Sequence, residues 1–292
     1  MYSFIHIKLM KKEKINKIRG SWYTVNIKAY ENQTKQHYID ALKSLIDKDP
    51  LVRIRGNRHI SVEGFDYVGD KNTPKMIILR LCAYDIMDPE AFFDIRKKQQ
   101  VVVNLSPDIV SNKKSGELYF VPDVHRLMVL RSSKISLNQL VKYLRTGFDM
   151  IGCEDEFDVN IEVSSELIDT IEQSYMIYSL EASLSYSNHD PSSNFVKFFD
   201  DEMNDSGTEK AEIKLRSGKG KSLKPKKDGL ISAILHLVKS NGFARARIKK
   251  TEESSPVTIE TKDYPEIVHL EGKQDNVLSA VRNHLIKAYG SE

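Results

Sequence analysis

The side chains best equipped to do chemistry in this chain are its cations, and they come in runs. From Lys214 to Lys227 the sequence reads KLRSGKGKSLKPKK: half of these residues are basic and none is acidic. Gly218, Gly220, Ser222 and Pro225 mark the stretch as a loop. Lys214, Arg216, Lys219, Lys221, Lys224, Lys226 and Lys227 could follow a phosphate backbone, because each cation that meets a phosphate releases condensed counterions. An ordinary solvated loop can carry the same composition. A second run, Arg245, Arg247, Lys249 and Lys250, follows Gly242-Phe243. If 243–249 is a strand, its period of two puts Arg245, Arg247 and Lys249 on one face and Ala244, Ala246 and Ile248 on the other. The plainer use of such a face is to guard a sheet edge with charge. Arg53, Arg55 and Arg58, with the cations between Lys11 and Arg19, form a third cluster.

Catalytic patterns are incomplete. Gly218-Lys219-Gly220-Lys221-Ser222 contains the G-K-S of a phosphate-binding loop, but Leu215 stands where the first glycine is needed. Pro225 and further lysines also separate it from the next helix, so the amide nest for a triphosphate is not expected. Glu212-Ile213-Lys214 is an E-x-K on an expected strand, with Asp205 upstream. A metal-dependent nuclease would need such carboxylates paired around Mg²⁺ and a lysine near the attacking water. Arg53 and His59 have a ribonuclease-like spacing but are interrupted by Gly56. The acidic run Glu154-Asp155-Glu156, with Asp158, reads as a solvated loop rather than a calcium loop. The histidines are scattered without zinc spacing, and His125 and His236 read as packed or surface residues. No cofactor, metal or catalytic residue is expected.

The totals agree with a binding role but do not dictate one. The 292 residues include 44 basic and 41 acidic ones, a net charge of +3, so distribution matters more than balance. A 40% hydrophobic share can bury a core. Cys82 and Cys153 are far apart and form no CxxC pair, which suits a reducing compartment. No apolar run approaches membrane-spanning length, and Met1 to Leu9 alternates like a strand instead of resembling a signal peptide. The expected location is the cytoplasm.

Hydrophobic periodicity supplies the elements that must position the cations. Strands are expected at 2–9, 22–29, 59–68 and 75–84, the last two joined by a turn at Gly69-Asp70-Lys71-Asn72, with a helix at 36–47. A loop at 106–116 leads into two strands between Glu117 and Arg131, split at Pro122-Asp123. Ser136 and Gln139 form a capping box for a helix that Gly147 should end. Strands follow at 157–163 and from Met176 to Tyr186, the latter alternating most clearly. After a polar break at 187–193 come a helix (194–206), a strand (211–216), the basic loop, a helix (229–240), a hairpin (243–249 and 256–260) and a last helix (275–289). The expected fold is mixed α+β: largely antiparallel sheets with packed helices in two subdomains, 1–187 and 188–292.

The order from Glu117-Leu118-Tyr119-Phe120-Val121, through the capped helix, Gly147 to Ile151, the strand Phe157 to Val163, a linker containing Ile168 and the strand to Tyr186, resembles an uncharacterised family of bacterial and prophage proteins found near phage-defence genes. It is also distantly similar in layout to the phage exclusion protein Rex A, a DNA-binding protein. The likeness covers roughly 115–210 and is one of pattern, so it carries no residue across; beyond 210 the chain departs from it. It implies DNA binding in phage exclusion or abortive infection. The resulting expectation is a nucleic-acid-binding protein of an anti-phage system, with DNA ahead of RNA and contacts from Lys214, Arg216, Lys219, Lys221, Lys224, Lys226, Lys227, Arg245, Arg247, Lys249 and Lys250. A metal-dependent nuclease effector and a protein–protein adaptor are the alternatives. A homodimer, or a partner protein from a neighbouring defence gene, stays open.

Overall fold

The computed structural model describes residues 17–106, 108–153, 157–185, 194–226, 229–273 and 277–290. The strand expected at 2–9, Lys11, Lys12 and Lys14, the acidic run at 154–156, the break at 187–193 and Lys227 lie outside the described residues. Along the chain run β1 (Lys17–Ala29), α1 (Lys35–Lys48), β2 (Val52–Arg55), β3 (Arg58–Gly69), β4 (Pro74–Ile86), β5 (Phe92–Asp94), β6 (Gln99–Val101), β7 (Val110–Val121) and β8 (Arg126–Leu130). Then come α2 (Leu137–Ile151), β9 (Phe157–Ile161), α3 (Ser165–Glu172), β10 (Met176–Ser185), α4 (Asn194–Asp205) and β11 (Lys210–Arg216). The last elements are α5 (Leu230–Asn241), β12 (Gly242–Lys249), β13 (Val257–Glu260), β14 (Ile267–Lys273) and α6 (Val277–Tyr289).

The fold is mixed α+β, and its strand pairings are antiparallel. The first sheet has the order β14-β1-β8-β7-β4-β3-β2, with β9 pairing to the second half of β1. The second has the order β11-β10-β12-β13. The sheets do not divide the chain at 188. β10, before that point, pairs with β11 and β12 beyond it, and β14 returns to pair with β1.

Alternation decides what each sheet buries. On one face of the first sheet Ile27, Leu79, Leu81, Leu127 and Val129 pack against Leu42 and Leu45 of α1 and Leu144 and Phe148 of α2. On part of the other face Trp22, Met76 and Met128 pack against Val281 and Leu285 of α6. The second sheet uses one face only. Ile177, Leu180, Leu184, Ala244, Ala246 and Ile248 meet α3 and α5 through residues such as Ile168, Ile171, Ile234 and Val238. Its opposite face has no helix packed against it among the described residues.

A buried polar network joins the two layers through α5. Arg126 of β8 and Glu162, just beyond β9, are fully buried and paired at 2.8 Å. The Ser240 hydroxyl donates to the other Glu162 oxygen at 2.6 Å, and the Arg126 guanidinium also lies over the Tyr289 ring. Asn26 of β1 donates to the Ser240 carbonyl and the Asn241 side chain. Low dielectric makes each partner indispensable to the other.

Several local expectations are corrected. β7 begins at Val110, inside the loop expected at 106–116. An extra residue in β7, between Ser111 and Lys114, lets Asp85 and Ile86 pair with Ser111 and Val110, and there Asn112 adopts φ 53° while donating to the Asp85 carboxylate at 2.7 Å. The polar run hid this strand because much of it faces solvent. The capping box on Ser136 and Gln139 is present, but α2 does not stop at Gly147. A Cβ there would stand 2.8 Å from Leu45, so Gly147 serves the close crossing of α1 and α2, and Gly152 at φ 62° is the true cap. Ser136→Ala should cost about 1 kcal/mol, read as a lower urea midpoint at unchanged slope. The Ile168 linker is helix α3, with Leu167, Ile168 and Ile171 buried.

Candidate nucleic-acid interface

The uncovered face of the second sheet collects the cations that the sequence singled out. In β12 the alternation is as expected: Arg245 and Arg247 are exposed and Lys249 half-buried, while Ala244, Ala246 and Ile248 are buried. In β11 Lys214 and Arg216 are exposed, between inward Ile213 and Leu215. The strand β10 lies between them and fixes the pairing. Glu181 stands opposite both Lys214 and Arg245, and Ser179 opposite both Arg216 and Arg247. With strands spaced about 4.8 Å apart, the two cationic rows run roughly 10 Å from each other across β10.

The basic loop is tied to the same sheet. Ser217 N–H donates to the Tyr178 carbonyl and Leu223 N–H to the Ile177 carbonyl, each at 2.9 Å, and the Ser222 hydroxyl accepts from Ile177 N–H at 2.9 Å. Between these anchors Lys221 N–H closes a turn on the Gly218 carbonyl, with Gly220 at φ 70°. Lys219, Lys221, Lys224 and Lys226 are exposed. Ile177 pairs with Ile248, so the anchored loop lies at the end of the sheet where Lys249 and Lys250 emerge. The two clusters, remote in sequence, form one patch. Of the third, Arg53 and Arg55 sit apart on β2, an edge strand of the other sheet, and Arg58 is paired with Asp85.

Three carboxylates temper the patch. Glu181 lies 3.9 Å from Arg216, and Glu260 lies 3.6 Å from Arg245 and 2.6 Å from Lys262. The hydrogen bond from Lys262, and then the charge of Arg245, hold the Glu260 carboxyl below the usual range. Glu212 is exposed opposite Ser183 and shares the Lys214 face. Among the described residues no three His, Cys, Asp or Glu side chains gather closely enough to hold a metal ion. The G-K-S segment lies in the turn between the two anchors on β10, and the next helix starts only at Leu230.

Sequence reasoning missed the aromatic part of this face. Phe243 is 52% exposed and alternates with Arg245 and Arg247, so its period already placed it there. Tyr178 escaped notice because a bulge between Ile177 and Ser179, invisible in the sequence, brings it against Arg247, whose guanidinium lies 5.7 Å from the ring centre. Tyr175, 50% exposed, has Lys249 5.6 Å from its ring centre.

A cleft of about 830 Å³ on the first sheet has a different character. Its Lys113 is paired with Glu63 and its Arg80 with Asp66, each at 2.5 Å. The Lys113 hydrogen bond holds the Glu63 carboxyl below its ordinary range. Two of its cations are thus partnered by carboxylates, and Lys114 and Lys134 line it as well.

Fold and face together define a mixed α+β protein whose second antiparallel sheet is covered by helices on one side and cationic on the other. The chain belongs to the family described as a domain of unknown function (DUF4747), whose model matches residues 19–287. None of the curated proteins matches it. No helix among the described residues is long and apolar enough to cross a membrane.

Proposed function

We propose that this protein binds nucleic acid by gripping its phosphate backbone with the open face of the second sheet and the adjoining loop. The observation that supports the reading is the pairing of cations across β10: Lys214 with Arg245 around Glu181, and Arg216 with Arg247 around Ser179. Two parallel cationic rows on a surface without a covering helix suit a polyanion, and such contacts position a strand without reading its sequence. A role in phage exclusion belongs to the same proposal and rests only on the resemblance over residues 115–210.

The test is fluorescence anisotropy with labelled DNA and RNA at several salt concentrations, with and without Mg²⁺, followed by a gel of the probes. Affinity that falls steeply with salt while the probes stay intact is the expected result. No binding at low salt would overturn the proposal. Probes cut in Mg²⁺, with the cutting abolished by Glu212→Gln, would replace it with the nuclease reading.

A further inference from the structure

Resting on that reading, we infer that the sheet face takes single-stranded nucleic acid, stacking its bases on Phe243 and Tyr178 while the flanking cations hold the phosphates. Phe243, Arg245 and Arg247 project from one face of β12, and Phe243 is too exposed to be a core residue. Four residues further along, at roughly 14 Å by strand rise, Arg247 meets Tyr178. The aromatic rings therefore mark two ends of one track, and the cations lie between and beside them. Phe243 pairs with Ser183 of β10, just beyond the stretch Arg245 to Ile248 that also pairs with β13, so its ring stands in line with the exposed cations of β12.

This arrangement suits a single strand better than a duplex. In a duplex each base is already stacked between its neighbours, so a flat protein surface meets only sugars and phosphates. The exposed rings would then lose water without gaining a partner. An unpaired strand offers the faces of its bases, and any base can stack on an aromatic ring, which makes the contact tolerant of sequence. The Ser179 hydroxyl and the Glu181 carboxylate, on β10 between the cationic rows, and the Ser183 hydroxyl, between Glu212 and Phe243, can meet base edges. Stacking and backbone charge are features that DNA and RNA share.

The experiment compares a short labelled oligonucleotide of mixed sequence, as single-stranded DNA and as single-stranded RNA, with the DNA duplex of the same sequence. Wild-type protein, Phe243→Leu, Phe243→Tyr and Tyr178→Leu are measured, with thermal unfolding as the control for folding. The single strands should bind at least about tenfold more tightly than the duplex. Phe243→Leu should weaken single-strand binding about fivefold or more, with an unchanged salt slope because no charge is removed. Phe243→Tyr, which keeps a ring, should retain wild-type affinity. A duplex bound as tightly as the single strands, or Phe243→Leu indistinguishable from wild type on both of them, would overturn this inference and leave the backbone-binding proposal standing. Failure of every probe to bind at low salt would remove both.

Discussion

Glutamine at Lys214, Arg216, Arg245 and Arg247 together should weaken nucleic-acid binding roughly 100-fold and flatten its salt dependence. Exposed charge contacts contribute up to about 1 kcal/mol each, so losing four costs on the order of 3 kcal/mol, which is about two decades in Kd. Each lost phosphate contact also lowers the slope of log affinity against log salt by about 0.7 on a single strand or 0.9 on a duplex, a total of about 3. The side chains of Arg216 and Arg245 are 78% and 60% exposed, so the fold should tolerate the changes. Arg53→Gln with Arg55→Gln, on the edge of the other sheet, is the matched control and should leave affinity unchanged. Anisotropy titrations at graded salt check both numbers. A fourfold variant that keeps the wild-type slope would show that the phosphates are held elsewhere.

Glu162→Ala should destabilise the protein by about 4 kcal/mol, read as a shift in the urea midpoint. The loss is large because Arg126 is fully buried and would lose the carboxylate it is paired with at 2.8 Å. The Ser240 hydroxyl would lose its acceptor at the same time. Replacing the pair together, as Arg126→Met with Glu162→Leu, should recover much of the loss, since two apolar side chains leave no orphaned charge. A single variant as stable as wild type would mean that water reaches the pair and that its burial is not what matters. Because Ser240 sits on α5, which also backs the second sheet, Glu162→Ala should loosen the binding face as well as the first core.

Much of this architecture was legible in the sequence, for identifiable reasons. Period-two patterning in Met176–Ser185 and Gly242–Lys249 reports burial on one face only, and two of the three strands of the candidate interface came from it. The capping box at Ser136 was legible because its chemistry is local. What escaped depends on partners remote along the chain. Gly147 looks like a stop until Leu45 is placed against it. The start of β7 hides in a polar run whose pairing with β4 depends on a bulge at Asn112 and Lys113. The convergence of the loop with β12 is set by β10, which touches both. The buried Arg126–Glu162 pair left no trace, since nothing in their neighbours distinguishes them from the other charged residues.

The return of β14 to β1 has a consequence for how the chain comes to fold. Ser21 and His269 are hydrogen-bonded across that pairing although 248 residues separate them. During synthesis β1 therefore waits with half of one edge unpaired until the segment through Lys273 has left the ribosome. Contacts this distant slow folding, and an open strand edge invites association with other chains meanwhile. A chain that has emerged from the ribosome only as far as residue 266 would thus have every strand of its second sheet while its first is still unsealed.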